Sequence, residues 1–448
     1  MGNIAPVIYG LLPILLVFAL EPMYRDPLYQ KTLDEVPRMQ LKKRLFGFFH
    51  GISMMGEAQV PLVGLVVIFN LVHKMKALYI WSAFGLICFF NTGILKSLYE
   101  ESRPFWLSDE IVPQKCRRDF GNPSGHCMTA TFFWLTVYLN KYFEVGAARP
   151  KVRSIFCTAY IIKMGLTVAM CLFFIFLALS RVFLGEHSYN QVLFGSSLGI
   201  TLALTMHFFL KPIVKRFPLW LRTVYGINKE RGTFNVPSYI FLITLCAFII
   251  APIGLAYLVW VSTNAFILDP NEENRIRTHC YNYLFFFTDA FHNKSFFQSG
   301  IIGISGGALI GHLIEMKFVQ INLSYGIWNK TSIVKTVIRL TLTLLVYGIF
   351  SLPYFTISTD IDDSNIAYLF LAKFFTPSFL SSIFIFAFGR VIFYRLNLIN
   401  EKALGGIFET LNEENDDSSD QTDNEGSGEK RGKNVSLEFM EIEMASRV

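Results

Sequence analysis

Between Ile4 and Phe388 the chain returns again and again to uninterrupted apolar runs, and a chain built that way has few folds open to it. A bilayer core takes about 20 apolar residues per helix, and every backbone polar group inside it must be satisfied within the segment. Candidate runs are Ile4–Leu20, Ala58–Val72, Ala77–Leu95, His126–Leu139, Ser154–Leu179, Gln191–Leu210, Val236–Val261, Ser299–Leu313, Ser332–Phe355 and Ile366–Phe388. The second, fourth and eighth are short, so their ends are expected to reach into flanking sequence. Only 17% of the 448 residues are charged, against about 25% in a soluble domain. The expected fold class is an all-α polytopic membrane protein with about ten transmembrane helices. The first run has no charged stretch before it and no clear cleavage site after it, and reads as a retained span rather than a signal peptide.

Net charge and cysteines exclude other classes. The formal charge of +6 is spread over loops and forms no basic stripe, so no nucleic-acid partner is expected. The seven cysteines fit neither a disulfide framework nor a zinc pattern, and no acidic or Cys/His spacing offers a metal site. Lys163, Lys335, Arg339 and Lys373 lie inside spans and are expected to reach a near rim or, for Lys373, the bundle interior.

Ten spans put both termini on one side, with the basic loops at Lys74/Lys76, Lys141–Arg153, Lys211–Arg231 and Lys317–Lys330. The positive-inside rule makes that side cytosolic. Arg25, Lys31, Arg38 and Lys42–Arg44 fall on the other side, where an interfacial amphipathic helix around Pro37–Ile52 would account for them. A sequon at Asn293 falls on the outer side, and those at Asn322 and Asn329 on the cytosolic side. From about Glu409 the chain is acidic, polar and free of large apolar clusters, and is expected to be disordered.

This topology brings three polar clusters to one rim. In "KSLYEESRP", Lys96 ends the third span and Arg103 follows it. "GNPSGH" holds Ser124, Gly125 and His126 at the head of the fourth, and "SRVFLGEHSYNQ" carries Arg181, His187 and Gln191 between the fifth and sixth. Taken singly, a cation at a span end is an anchor and a histidine at a helix mouth a satisfied polar group; His73, His207 and His312 belong to that bland class. Together the clusters are complementary. Three cations at a low-dielectric rim would repel one another unless an anion joined them, and guanidinium forks suit phosphate oxygens. A helix start at Ser124–Gly125 would add a hydroxyl and free N–H groups. One histidine could attack phosphorus while the other protonates the leaving oxygen.

The three stretches resemble, in residue type and spacing, the signature motifs of the type 2 phosphatidic acid phosphatase superfamily. That group includes lipid phosphate phosphatases, glucose-6-phosphatases and soluble vanadium haloperoxidases. The resemblance covers roughly 62–210. It implies a six-helix core with further C-terminal helices, and a metal-free, cofactor-free phosphomonoesterase. Lys96, Arg103, Ser124, Gly125 and Arg181 would bind phosphate, His187 would form a phosphohistidine, and His126 would be the general acid. The family usually has aspartate where Gln191 stands; glutamine occurs there in glucose-6-phosphatases. One helical turn from His187, Gln191 can accept the same ring hydrogen bond but brings no charge.

The organisation expected is a first helix with an interfacial segment (1–57), a phosphatase core (58–210), a C-terminal transmembrane extension (211–400) and a cytosolic tail (401–448). The expected substrate is a lipid phosphate, such as phosphatidate or a sphingoid-base phosphate. A soluble sugar phosphate or a weakly catalytic lipid-binding scaffold is the alternative. The site would face the lumen of the endoplasmic reticulum or another endomembrane, or the outside of the plasma membrane. Cys116 and Cys280, the only cysteines in the outer loops, would then lie in an oxidising compartment and are expected to pair.

Overall fold

The chain folds into helices, named here in order on a computed structural model. They are α1 (Ala5–Gln40), α2 (Phe46–Met54), α3 (Gln59–Leu71), α4 (Lys74–Phe89, continued by a π turn over Phe90–Leu95 and by Lys96–Tyr99), α5 (Pro104–Leu107), α6 (Gly125–Tyr142), α7 (Thr158–Phe183), α8 (Tyr189–Thr205), α9 (Ser238–Thr263), α10 (Pro270–His279), α11 (Phe296–Phe318), α12 (Ile333–Thr356) and α13 (Ile366–Arg395). The structure describes residues 5–399 apart from 58, 73, 118, 143–157, 211–226, 229–232, 235–236, 264–268, 281–294, 319–330 and 358–365. The three sequons, His73 and the acidic tail lie outside the described residues. Besides helix, the described residues hold one two-residue antiparallel ribbon, Ile227–Asn228 against Thr233–Phe234.

This is an all-α polytopic membrane protein. Among the described residues eight helices are long and apolar enough to cross a membrane, or nine if the bent pair Lys43–Met54 and Gln59–Leu71 is one span. The expected run His126–Leu139 is α6, which is too polar to be among them. Helices cover α6 on several sides, so its outer faces need not be greasy, and Met128, Thr131, Phe132 and Leu135 are buried. By contrast α7, α9 and α12 expose Ile161, Leu172, Leu242, Leu258, Leu345 and Leu352, apolar faces suited to lipid tails.

Two glycines set how closely α6 and α8 approach. A Cβ at Gly195 of α8 would lie 2.7 Å from the Ser124 carbonyl, and one at Gly199 would lie 2.1 Å from Thr131 Oγ1. Their four-residue spacing makes a small-residue face, on which the backbone of α6 rests directly. The heads of α6 and α8 are thereby brought together, with Ser124 N donating to the Gln191 carbonyl at 3.0 Å.

The first helix runs well past its expected end at Leu20. At 36 residues it is roughly 54 Å long. Its second half forms a wall: Tyr29 donates to the Ser102 carbonyl (3.0 Å), and Thr32 accepts from the Tyr189 N–H (2.9 Å). The outer cations Arg25 and Lys31 pair along it with Glu21 and Glu35. The single amphipathic helix expected over Pro37–Ile52 is replaced by a break after Gln40. That break frees the Gln40 amide to clamp Val112 and the Phe183 carbonyl, while Phe49 of α2 packs on Phe183 and Leu184.

The C-terminal helices dock on the back of α4. Cβ atoms at Gly85 and Gly93 would meet Ser305 and Ser299 of α11 at 2.4 and 2.8 Å, and Trp81 donates to Ser382 of α13 at 3.1 Å. Lys74, expected in a loop, is instead fully buried and paired with Glu315. Both groups are removed from water, so each needs the other.

A disulfide joins Cys116 to Cys280, with Cα atoms 5.8 Å apart. It ties the loop before α6 to the end of α10, whose Ile276 enters an apolar cluster with Val36, Phe105, Trp106 and Phe120. Maleimide labelling of intact protein is expected to spare Cys116 and Cys280 until reductant is added. Ready modification of both without reductant would contradict the bond.

Candidate active site

Lys96 is aimed by the π turn that precedes it, because the extra residue in a π turn shifts the helix face. The helix then ends at Glu100, whose φ of 43° is left-handed. A non-glycine residue there carries strain, which here turns Glu101, Ser102 and Arg103 inward. At the end of α7, Gly185 (φ +69°) makes the corresponding turn for His187. A Cβ at Gly185 would lie 2.9 Å from both the Gln40 amide and the Val112 carbonyl.

The three clusters meet. Arg103 Nη1 lies 3.1 Å from His187 Nε2 and donates to the Glu186 carbonyl at 2.7 Å. Its Nε and Nη2 donate to the carbonyl and carboxylate of Asp119 at 2.7 and 2.9 Å. Lys96 pairs with the same carboxylate. Arg181 is fully buried, pairs with Glu186 and donates to Ser53 Oγ. His126 Nε2 faces Glu57 at 3.2 Å, and Glu57 also holds Lys115 and Arg117.

The His187 ring is fixed from both sides. Its Nδ1 lies 3.1 Å from Gln191 Oε1. The amide orientation follows from the other end, where Gln191 Nε2 donates to the Ser102 carbonyl (2.9 Å) and to Glu101 Oε1 (3.1 Å). The oxygen must therefore face the ring, so Nδ1 carries the proton and the Nε2 lone pair points at Arg103. Gln191 also closes a capping box with Ser188 at the start of α8. Gly121 has no side chain beside it because a Cβ would fall 2.3 Å from Gln191 Nε2.

Burial, and then Arg103, Arg181, Lys96 and His126, all hold His187 well below the ordinary imidazole range. The ring is therefore neutral around pH 7, as a nitrogen nucleophile must be. For Asp119, burial raises the carboxyl, but Lys96 and Arg103 outweigh it and leave the group well below the usual carboxylate range. Glu57 behaves alike: burial raises it, and His126, Arg117 and Lys115 bring it down.

Two expectations change. The cations do not depend wholly on an outside anion, since Asp119 and Glu186 offset two of their three charges. The Ser124 N–H is not free at the helix mouth, because it is donated to Gln191. Gly125 serves close packing, with a Cβ there meeting Asn91 Oδ1 at 2.9 Å. Glu186 does not partner the His187 ring; its charge goes to Arg181. Asp119, Glu57 and Ser53 lie outside the three motifs, and Glu101 lies inside the first, in "KSLYEESRP".

Residues 75–214 match the family model of the PAP2 superfamily. This segment contains every candidate phosphate-binding and catalytic residue. No curated protein matches the chain. Among solved structures the chain is similar to the transmembrane PAP2-type phosphatidylglycerolphosphate phosphatase from Bacillus subtilis, at 20% identity and a TM-score of 0.35. The similarity covers 49% of this chain and 98% of that one.

Proposed function

We propose that the protein is a membrane phosphatase that hydrolyses phosphomonoesters through a phosphohistidine on His187. The observation that carries this reading is the ring of His187, with Nδ1–H given to Gln191 and the Nε2 lone pair facing Arg103. Lys96, Arg103 and Arg181 would hold the phosphate oxygens, with the Ser124 hydroxyl and the Gly125 backbone at the head of α6. Nε2 attacks phosphorus, and the bond to the leaving oxygen breaks as His126 gives that oxygen a proton. Water then attacks the phosphohistidine, with His126 taking its proton, and the P–N bond breaks to release phosphate. The cations neutralise charge on the equatorial oxygens throughout. Burial, and then Arg181 and Arg117, hold the pKa of the resting His126 ring down at about 3 with Glu57 opposing them, so the negative charge of the incoming phosphate would have to raise it before the ring acts as the acid.

A lipid phosphate is the proposed substrate: the site lies at helix ends, where a headgroup can sit while its tails stay among the helices. Gln191 favours the second reading, a soluble sugar phosphate. Residues 58–210 would be the catalytic core, with 1–57 as its first helix and wall, 211–400 as the transmembrane extension and 401–448 as the tail. The Cys116–Cys280 bond supports an oxidising lumenal or exoplasmic side for the site, with both termini cytosolic, in the endoplasmic reticulum, another endomembrane or the plasma membrane.

Phosphate release by the purified protein tests this. Phosphatidate or a sphingoid-base phosphate is expected to be hydrolysed faster than glucose 6-phosphate. Preference for the sugar ester would select the second reading, and no release from any substrate would leave a binding or scaffolding role.

A further inference from the structure

The amide of Gln191 leads on to a carboxylate that no motif requires. Glu101 Oε1 accepts from Gln191 Nε2 at 3.1 Å and from Asn190 Nδ2 at 2.7 Å, and its Oε2 accepts from Asn122 Nδ2 at 2.6 Å. Burial works against ionisation of Glu101, while the three neutral amide donors work for it, since an ionised carboxylate only accepts, and none of them cancels its charge. The backbone pins it as well, with the Gly121 N–H donating to the Glu101 carbonyl at 2.8 Å.

We propose that Glu101 is a positioning residue for His187, acting through the Gln191 amide, so that the charge a directly bound aspartate would bring is held one residue further out. This rests on His187 being the nucleophile. As Nε2 bonds to phosphorus the ring becomes imidazolium-like, and its Nδ1–H needs a stronger acceptor. An amide whose N–H is given to a carboxylate is polarised towards its oxygen, and hydrogen bonds in a chain strengthen one another. The His187–Gln191–Glu101 chain thus supplies counter-charge in the transition state without a carboxylate touching the ring. The nucleophile stays neutral in the resting enzyme.

The charged surroundings are set on every side. Lys96, Arg103, Arg181 and His126 bear on His187, with Asp119 and Glu186 upon the three cations. Around Glu101 stand Arg25 and Glu21 of α1, paired with each other, and Glu272 of α10, which reaches Ser102 at 3.1 Å. All of these stay unchanged in the variants below.

The test uses the full-length protein with an alkyl phosphate, following kcat, KM, the pH profile of kcat/KM and labelled phosphoenzyme. Glu101→Gln is expected to lower kcat roughly 10- to 50-fold with KM little changed, because transition-state counter-charge is lost. Its acidic limb should move to lower pH, since removing a negative charge lowers the His187 pKa. Adding Gln191→Glu to Glu101→Gln moves the charge onto the ring's own partner. That double variant should recover much of kcat and shift the acidic limb above that of wild type. A merely structural Glu101, knitting Asn122 and Asn190 together, would give no such rescue, because residue 101 still has one acceptor oxygen in place of two in the double variant. Wild-type kcat and pH profile in Glu101→Gln, or a double variant no better than the single, would overturn the inference while leaving the phosphohistidine intact. Absence of phosphoenzyme in the wild type would overturn both.

Discussion

If His187 is the nucleophile proposed above, His187→Ala is expected to lose turnover and phosphoenzyme together, by a factor on the order of 10⁵ or more. His126→Ala should behave differently. Its ring contacts Glu57 rather than the His187–Gln191 pair, so its loss leaves the proposed nucleophile in place. With alkyl phosphates, whose leaving oxygen needs a proton, formation of the phosphoenzyme should slow by roughly 10²- to 10⁴-fold. With an activated aryl phosphate it should stay near the wild-type rate. Quenched-flow labelling with both esters decides between these outcomes. Acid-labile, base-stable phosphate still accumulating on His187→Ala would show that another residue is the nucleophile.

Asp119→Asn should tighten inorganic phosphate by roughly tenfold or more, because a neutral amide no longer competes for Lys96 and Arg103. In the resting protein those donors are already engaged by the Asp119 carboxylate and carbonyl. A phosphate held by these two cations would therefore exchange with a built-in anion. The same change should lower thermal stability in phosphate-free buffer, since two buried cations lose their counter-charge, and added phosphate should restore it. The pH sign follows from the depressed Asp119 carboxyl. Its contribution is fully present above the unfolded value of about 3.9. It is lost only as pH falls through the lower folded value, so mild acid should not vacate the cradle. Phosphate inhibition constants and melting curves with and without phosphate test both halves. Unchanged or weaker phosphate binding in Asp119→Asn would mean that the carboxylate orients the two cations for substrate rather than competing with it.

Apolar run length determined the fold class, because a bilayer admits only segments whose backbone bonds close internally. The alternation of expected spans placed Lys96, Arg103, His126, Arg181 and His187 together, and the structure brings their three segments to one cluster. One helical turn placed Gln191 against His187, and compartment logic picked Cys116 and Cys280 as partners. These inferences use local geometry or sidedness, which a linear pattern carries. The tertiary structure alone decided which acids answer the cations: Asp119 for Lys96 and Arg103, Glu186 for Arg181, Glu57 for His126, Glu101 behind Gln191. Asp119 and Glu57 sit in irregular loops, where spacing along the chain carries no distance in space. It also decided that α1 continues beyond Leu20 as a wall of the site, and that Lys74 is buried against Glu315. A charged residue in a sequence shows that it needs water or a partner, but which of the two it obtains depends on how distant segments pack.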